Sequence, residues 1–336
     1  MKRLLLIILL TNFIHIFSID YTKLPDDELY ELAETGDKEA QYNLALLIED
    51  LIYTKNYQRL DYVERKPFVW YEKAAIQGYP KALTRVGKEY LDNYGYYKKK
   101  DINKAIELFT QASDSDQEAS LLLAIINYNG IGIPANKERG KQLLEKSQKD
   151  FFRVKPMLYL EKELVEMVRE LVKENNPNAL FILGDFYYFG KTGYYEQSYD
   201  KALRLYSQGA ELGNSSATYM LGMMYYNGIG VLKDINESFK WINLSAESGN
   251  LSAIIKAGIM NYFGEGTTVD YEAALKWFTM GALKMDSLSQ YFIGVMYYKG
   301  EGTEQNIEQS KKWIKKAFEN GSESAKKFWD SKELWK

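Results

Sequence analysis

Few side chains in this sequence are suited to chemistry. The only histidine, His15, lies in the first eighteen residues with Lys2 and Arg3, and the chain has no cysteine. Beyond that segment neither imidazole nor thiol is available, which excludes a Ser-His-Asp triad, a Cys-His pair and a zinc site built on His or Cys. The stretch GDFYYFGKT from Gly184 to Thr192 suggests a phosphate-binding loop, but five residues separate its glycines where that motif needs four. It also follows a helical pattern instead of a strand. Asp185, Asp234 and Asp270 are the acidic residues considered for proton transfer, and their places in the chain read as helix caps or exposed faces. No residue is therefore assigned a catalytic or metal-binding role, and no cofactor is implied. Five Asn-x-Ser sequons, at Asn214, Asn236, Asn243, Asn250 and Asn320, are glycan acceptors only in a eukaryotic secretory pathway, and Asn243 falls mid-helix beside Trp241.

Recognition is better supplied. The chain contains 28 Tyr, and large apolar side chains recur on one side of successive predicted helices. Phe181, Tyr219, Met223, Ile255, Ile259, Tyr291 and Val295 are the candidate binding residues, with Tyr188, Tyr226, Tyr262 and Tyr298 one turn further on. Left open, they form a Tyr-rich groove of the kind that anchors peptides. Covered by a neighbouring element, they are core.

The elements that position them repeat every 36 residues. Gly222, Gly258 and Gly294 keep that spacing, as do Gly228, Gly264 and Gly300, and Trp241, Trp277 and Trp313. A small residue anchors the first helix of each unit: Ala40, Ala82, Ala119, Ala179, Ala217, Ala253 and Ser289. Five positions later stand Ala45, Gly87, Ala124, Gly184, Gly222, Gly258 and Gly294. Glycine inside a helix costs about 1 kcal/mol relative to alanine, so its recurrence predicts close approach of a second helix. The second helices are predicted to begin at Asp101, Asn136, Ser198, Asp234, Asp270 and Asn306, short polar residues suited to capping. Units of this length stack into a solenoid, each supplying the apolar surface the next one lacks.

These columns, with YMLGMMYYNGIGV from Tyr219 to Val231 and FIGVMYYKGEGT from Phe292 to Thr303, resemble the sel-1-like repeat family, a relative of tetratricopeptide repeats. The resemblance implies an all-α, right-handed α-solenoid of about seven antiparallel helix pairs and a non-catalytic adaptor that holds a protein or peptide in its concave groove. Cysteine-rich members imply a second reading, binding or hydrolysis of peptidoglycan fragments or penicillin-like compounds, but their regular Cys pairs are absent here. Eukaryotic members imply a third, a luminal quality-control adaptor, which the lack of a C-terminal membrane helix and retention signal disfavours.

Five segments follow: residues 1–18, 19–150 with repeats one to three, 151–176, 177–320 with repeats four to seven, and 321–336 as a terminal capping helix. Residues 1–18 read as a signal peptide, with Lys2 and Arg3 ahead of an apolar run and Ser18 at the cleavage point. Export to the periplasm or beyond is the expectation, with the endoplasmic reticulum lumen as the alternative. The segment 151–176 holds Leu160, Leu164, Met167, Val168 and Leu171 at helical spacing, an extra amphipathic helix after Pro156 that acts as a spacer or as a docking element. The 43 Lys and Arg against 46 Asp and Glu give no basic field for nucleic acid. No segment after residue 18 is long and apolar enough to span a bilayer.

Overall fold

The computed structural model describes residues 21–54, 66–91, 99–147, 160–190, 194–332 and Leu334. The segment read as a signal peptide, the start of the inserted stretch before Leu160, and the joints at 55–65 and 92–98 where the loop glycines thin out lie outside the described residues. The described residues are all-α, with a 3-10 turn at Tyr21–Lys23 and seventeen α-helices.

Two compact bodies are present. Residues 21–216 hold α1 (Asp26–Glu34), α2 (Lys38–Tyr53), α3 (Pro67–Ile76), α4 (Pro80–Leu91), α5 (Ile102–Ala112), α6 (Gln117–Asn129), α7 (Lys137–Lys146), α8 (Glu161–Lys173), α9 (Pro177–Phe189) and α10 (Tyr199–Glu211). The second body, from Ala217 onward, holds most of α11 (Ser215–Asn227) with α12 (Ile235–Glu247), α13 (Leu251–Phe263), α14 (Tyr271–Leu283), α15 (Ser287–Lys299), α16 (Ile307–Glu319) and α17 (Glu323–Ser331). Consecutive helices pair into the hairpins of an α-solenoid.

Glycine in the first helix makes room for one side chain of the second. A Cβ on Gly258 would stand 2.6 Å from the Phe278 ring, and one on Gly222 or Gly294 would meet Ile242 or Ile314. In the other body Gly87 faces Phe109 and Gly184 faces Tyr206. The residue that enters the gap is thus the one after each tryptophan, not the tryptophan itself. Trp277 packs with Ile242 and Ala246 of the preceding repeat, and Trp313 packs against Ala274, Phe278 and Ala282. One column closes the hairpin and the adjacent one stacks hairpins together.

The loop glycines do two jobs. Gly264 and Gly300 end their helices in the left-handed conformation, each donating its N–H to the carbonyl four residues back. A side chain on Gly266 or Gly302, two residues later, would collide with the carbonyl of Ile235 or Tyr271 at the start of the preceding second helix. The capping residues then tie the loop down. Asp101, Asn136, Asp234, Asp270 and Asn306 each accept an N–H from the first turn of the helix they start, whereas Ser198 occupies its cap position without such a bond. The spacing of Asp234 with Glu237 and of Asn306 with Gln309 suggests reciprocal capping boxes, but the cap N–H groups go elsewhere. Asp234 donates to Tyr225 O, Asp270 to Asn261 O and Asn306 to Tyr297 O, closing carbonyls of the previous helix.

The inserted helix α8 packs on α6 and α9. Its stripe of Leu164, Val165, Met167, Val168 and Leu171 is buried, and Glu170 accepts from Tyr128 (3.0 Å) and Lys137 (2.6 Å) of the repeat before it. The apolar side of α8 is thus spent on stacking. At the other end, α17 covers the last repeat through Ala325, Phe328 and Trp329, which pack with Ile314, Ala317 and Leu334.

Candidate functional site

The candidate face is carried by the first helices of the repeats. Five of the seven start at an Asp or Asn three residues before the anchor whose side chain accepts N–H groups of the first turn, namely Asp37, Asp116, Asn176, Asn250 and Asp286, whereas the second repeat has Tyr79 there. The anchor is buried against the partner helix, and positions two and six further along share a different side of the helix.

Two of the seven candidates are not available to a partner. Phe181 is fully buried, its ring 6.1 Å from that of Tyr206, and Val295 is buried with Ile314 and Ala317. The second helix of the same repeat packs on both, so the groove reading is corrected at these positions. The other five are half-buried. Tyr219 and Met223 of α11 lie over Ala253, Ile254 and Ala257. Ile259 of α13 lies over Phe278 and Ile293, and Tyr291 of α15 over Val295 and Ala325, with Phe328 6.1 Å away. Ile255 is half-buried on α13. What remains open is a ribbon of exposed edges on α11, α13 and α15, each resting on the next repeat.

Of the tyrosines one turn further on, Tyr188 packs within its own repeat against Tyr199, Tyr298 meets Phe328 of the terminal helix, and Tyr226 and Tyr262 are staples between repeats. Tyr226 donates to Glu265 Oε2 at 2.9 Å, Lys256 donates to the same oxygen at 3.0 Å, and the Lys256 ammonium sits 3.6 Å over the Tyr226 ring. One repeat later Tyr262 donates to Glu301 Oε2 at 2.5 Å and Lys299 reaches the Tyr262 hydroxyl at 3.0 Å. Burial, then the Glu301 carboxylate, pushes the Tyr262 phenol above its ordinary range, and burial does the same to Tyr219. In the first repeat the same position is taken by Glu49, which accepts from Arg85 at 2.7 Å and from Tyr71 at 2.8 Å, while Arg85 also pairs with Glu89 at 2.8 Å. The sequence reading missed these contacts. Their signal was present, since glutamate stands between the loop glycines only where a tyrosine lies 39 residues earlier, at Tyr226 with Glu265 and Tyr262 with Glu301.

Asp185 also departs from expectation. It is neither a cap nor on an exposed face but is buried, and accepts from Tyr206 Oη at 2.6 Å. Burial and this carboxylate hold the Tyr206 phenol far above the usual range. Four of the five sequon asparagines make structural contacts: Asn250 caps α13, Asn214 donates to Asn178, Asn243 to Glu247 and Asn320 to Gln290. Among the described residues no group of three or more His, Cys, Asp or Glu is placed to hold a metal ion, and no helix is long and apolar enough to cross a membrane.

No curated relative matches the chain. Among solved structures it is similar to a Sel1 repeat protein from Oxalobacter formigenes, at 24% identity over 93% of this chain and 92% of that one, with a TM-score of 0.49. A protective antigen of uropathogenic Escherichia coli displaying an SLR fold is 23% identical over 90% of this chain and 66% of its own, with a TM-score of 0.35. A sel1 repeat protein from Klebsiella pneumoniae is 21% identical over 70% of this chain and 99% of its own, with a TM-score of 0.30. The Sel1 repeat model matches residues 38–79, 80–116, 117–147, 177–214, 215–250, 251–284 and 287–322. With seven such matches over most of its length, with glycine gaps and capped hairpins in both bodies and a tryptophan column in the second, the chain belongs to the Sel1 repeat family.

Proposed function

We propose that this protein is an exported, non-catalytic scaffold that holds a protein or peptide partner along the ribbon of Tyr219, Met223, Ile255, Ile259 and Tyr291. Sel1 repeat proteins are typically protein-interaction scaffolds, and the family is generally non-catalytic. The observation that carries the reading is the ribbon itself. Three successive first helices present half-open apolar and tyrosyl edges at a fixed interval, so an extended partner meets equivalent contacts one repeat apart. Tyrosine suits such a surface because it gives large apolar contact with little loss of side-chain freedom. Export rests on the charged start and apolar run of residues 1–18.

The test uses residues 19–336 as bait in a fractionated native lysate, with Ile255→Lys in the middle of the ribbon as the comparison. One enriched envelope or secreted protein that Ile255→Lys loses, with the helical signal and unfolding midpoint unchanged, supports the scaffold. Recovery of muropeptides in place of any protein shifts the assignment to a binder of cell-wall fragments. Export is tested by the N-terminus of the native protein, where a start near residue 19 is expected and retention of Met1 overturns it.

A further inference from the structure

One turn of the second body breaks the pattern of its neighbours. Between α14 and α15 the solvent face carries Leu283, Met285 and Leu288, which are 80%, 66% and 36% exposed. One repeat earlier the same positions are Glu247, Gly249 and Ser252, and one repeat later Glu319, Gly321 and Ser324. Polar residues or glycine on both sides show that the turn does not need apolar side chains to form.

Met285 also stands where the backbone favours glycine. Its φ is +63°, against +82° at Gly249 and +87° at Gly321. The hydrogen bonds are the same in all three turns. Met285 and Asp286 donate to Ala282 O and Gly281 O, as Gly249 and Asn250 donate to Ala246 O and Ser245 O, and as Gly321 and Ser322 donate to Phe318 O and Ala317 O. A methionine here gains no bond that glycine lacks and adopts a backbone conformation that L side chains rarely take. Strain kept at an exposed apolar tip points to use of the side chain. Lys284 Nζ donates to Gly249 O at 3.2 Å, and Asp286 accepts from the N–H of Ser289.

We propose that Leu283, Met285 and Leu288 form an anchor that enters an apolar pocket on a protein partner, a pocket rimmed by lysine or arginine. The rim chemistry follows from charge. Across residues 247–252, 283–288 and 319–324 stand Glu247, Asp286, Glu319 and Glu323 against Lys284, and with Lys315, which pairs with Glu319 at 3.7 Å, the net is −2. A second copy brings the same acidic edge and is repelled, and an anionic lipid surface is repelled likewise. Three side chains are also far fewer than the ~20–30 residues a side of a stable protein interface. The turn therefore works as an anchor within a larger contact, as the few side chains that dominate an interface do. This deepens the scaffold reading and rests on it, by adding a second and chemically distinct contact.

The experiment compares the natural protein with the triple variant Leu283→Glu, Met285→Gly, Leu288→Ser, which gives this turn residues its neighbours already use. The variant is expected to keep its helical signal and to unfold at the same or higher urea concentration, since the left-handed methionine is gone. The protein captured by the natural chain is made recombinantly and serves as the probe in titrations against both chains. At least tenfold weaker binding to the folded variant, together with weakening of the natural complex as salt rises, supports the anchor. Equal binding overturns it while leaving the scaffold reading intact, as does saturable capture of a second copy or of anionic vesicles in place of a partner. Failure of the natural chain to capture any protein removes both.

Discussion

Phe278 fills the space left by the missing side chain of Gly258, which is why a helix interior tolerates glycine there. Gly258→Leu forces that ring aside in a closely packed hairpin, so a loss of roughly 1–3 kcal/mol in a urea titration is expected; an unchanged midpoint would mean the hairpin is loose. The anchor column makes the opposite prediction at Ser289. Six of the seven anchors are alanine, and the Ser289 hydroxyl is buried, faces Gly281 and has no hydrogen-bond partner among the described residues. An unpaired buried hydroxyl costs about 1–3 kcal/mol. Ser289→Ala should therefore stabilise the second body, and a lowered midpoint would show that the hydroxyl has a partner after all.

At the scale of the helix, capping separates residues that look alike in sequence. Asp234 accepts the Glu237 N–H at 2.9 Å, so Asp234→Ala should lower stability by about 1 kcal/mol. Ser198 starts α10 with no such bond, and Ser198→Ala should be nearly silent in the same thermal melt. Equal losses would overturn the distinction. The element plan was legible because it is written in spacing: small residues at the anchor, glycine five later, a cap before the second helix. A further column was visible but unread, the Asp or Asn three residues before six of the seven anchors, which caps first helices from Asp37 to Asp286. Contacts that depend on which way a side chain leans were not legible. Spacing places Phe181 and Tyr219 on one helix face, yet the element stacked against each leaves the first fully buried and the second half-open. Nor does spacing decide whether Trp277 or Phe278 enters the Gly258 gap, since adjacent residues differ by only 100° around a helix.

Across the molecule the two bodies share one repeat plan but hold their tyrosines differently. In residues 21–216 burial and a neighbouring carboxylate drive Tyr21, Tyr71, Tyr79, Tyr128 and Tyr206 far above the usual phenol range, and Tyr42 is pushed up to about 12. In residues 217–336 the raised phenols are Tyr219 and Tyr262, and Lys299 beside Tyr262 pulls back toward the ordinary value. A phenol whose folded pKa is raised favours the folded state while it is protonated. That contribution is complete below the unfolded value of about 10 and is lost progressively as pH climbs beyond it. More such groups stand in residues 21–216, so alkali should open that body first. A titration followed at 295 nm should show phenolate rising together with the fall in helical signal. Hydrogen exchange across the same range should place the first loss of protection in helices such as α3 and α10, which carry Tyr71 and Tyr206. Earlier loss in α13 and α15 would show that packing outside the tyrosines, and not their ionisation, sets the order in which the array comes apart.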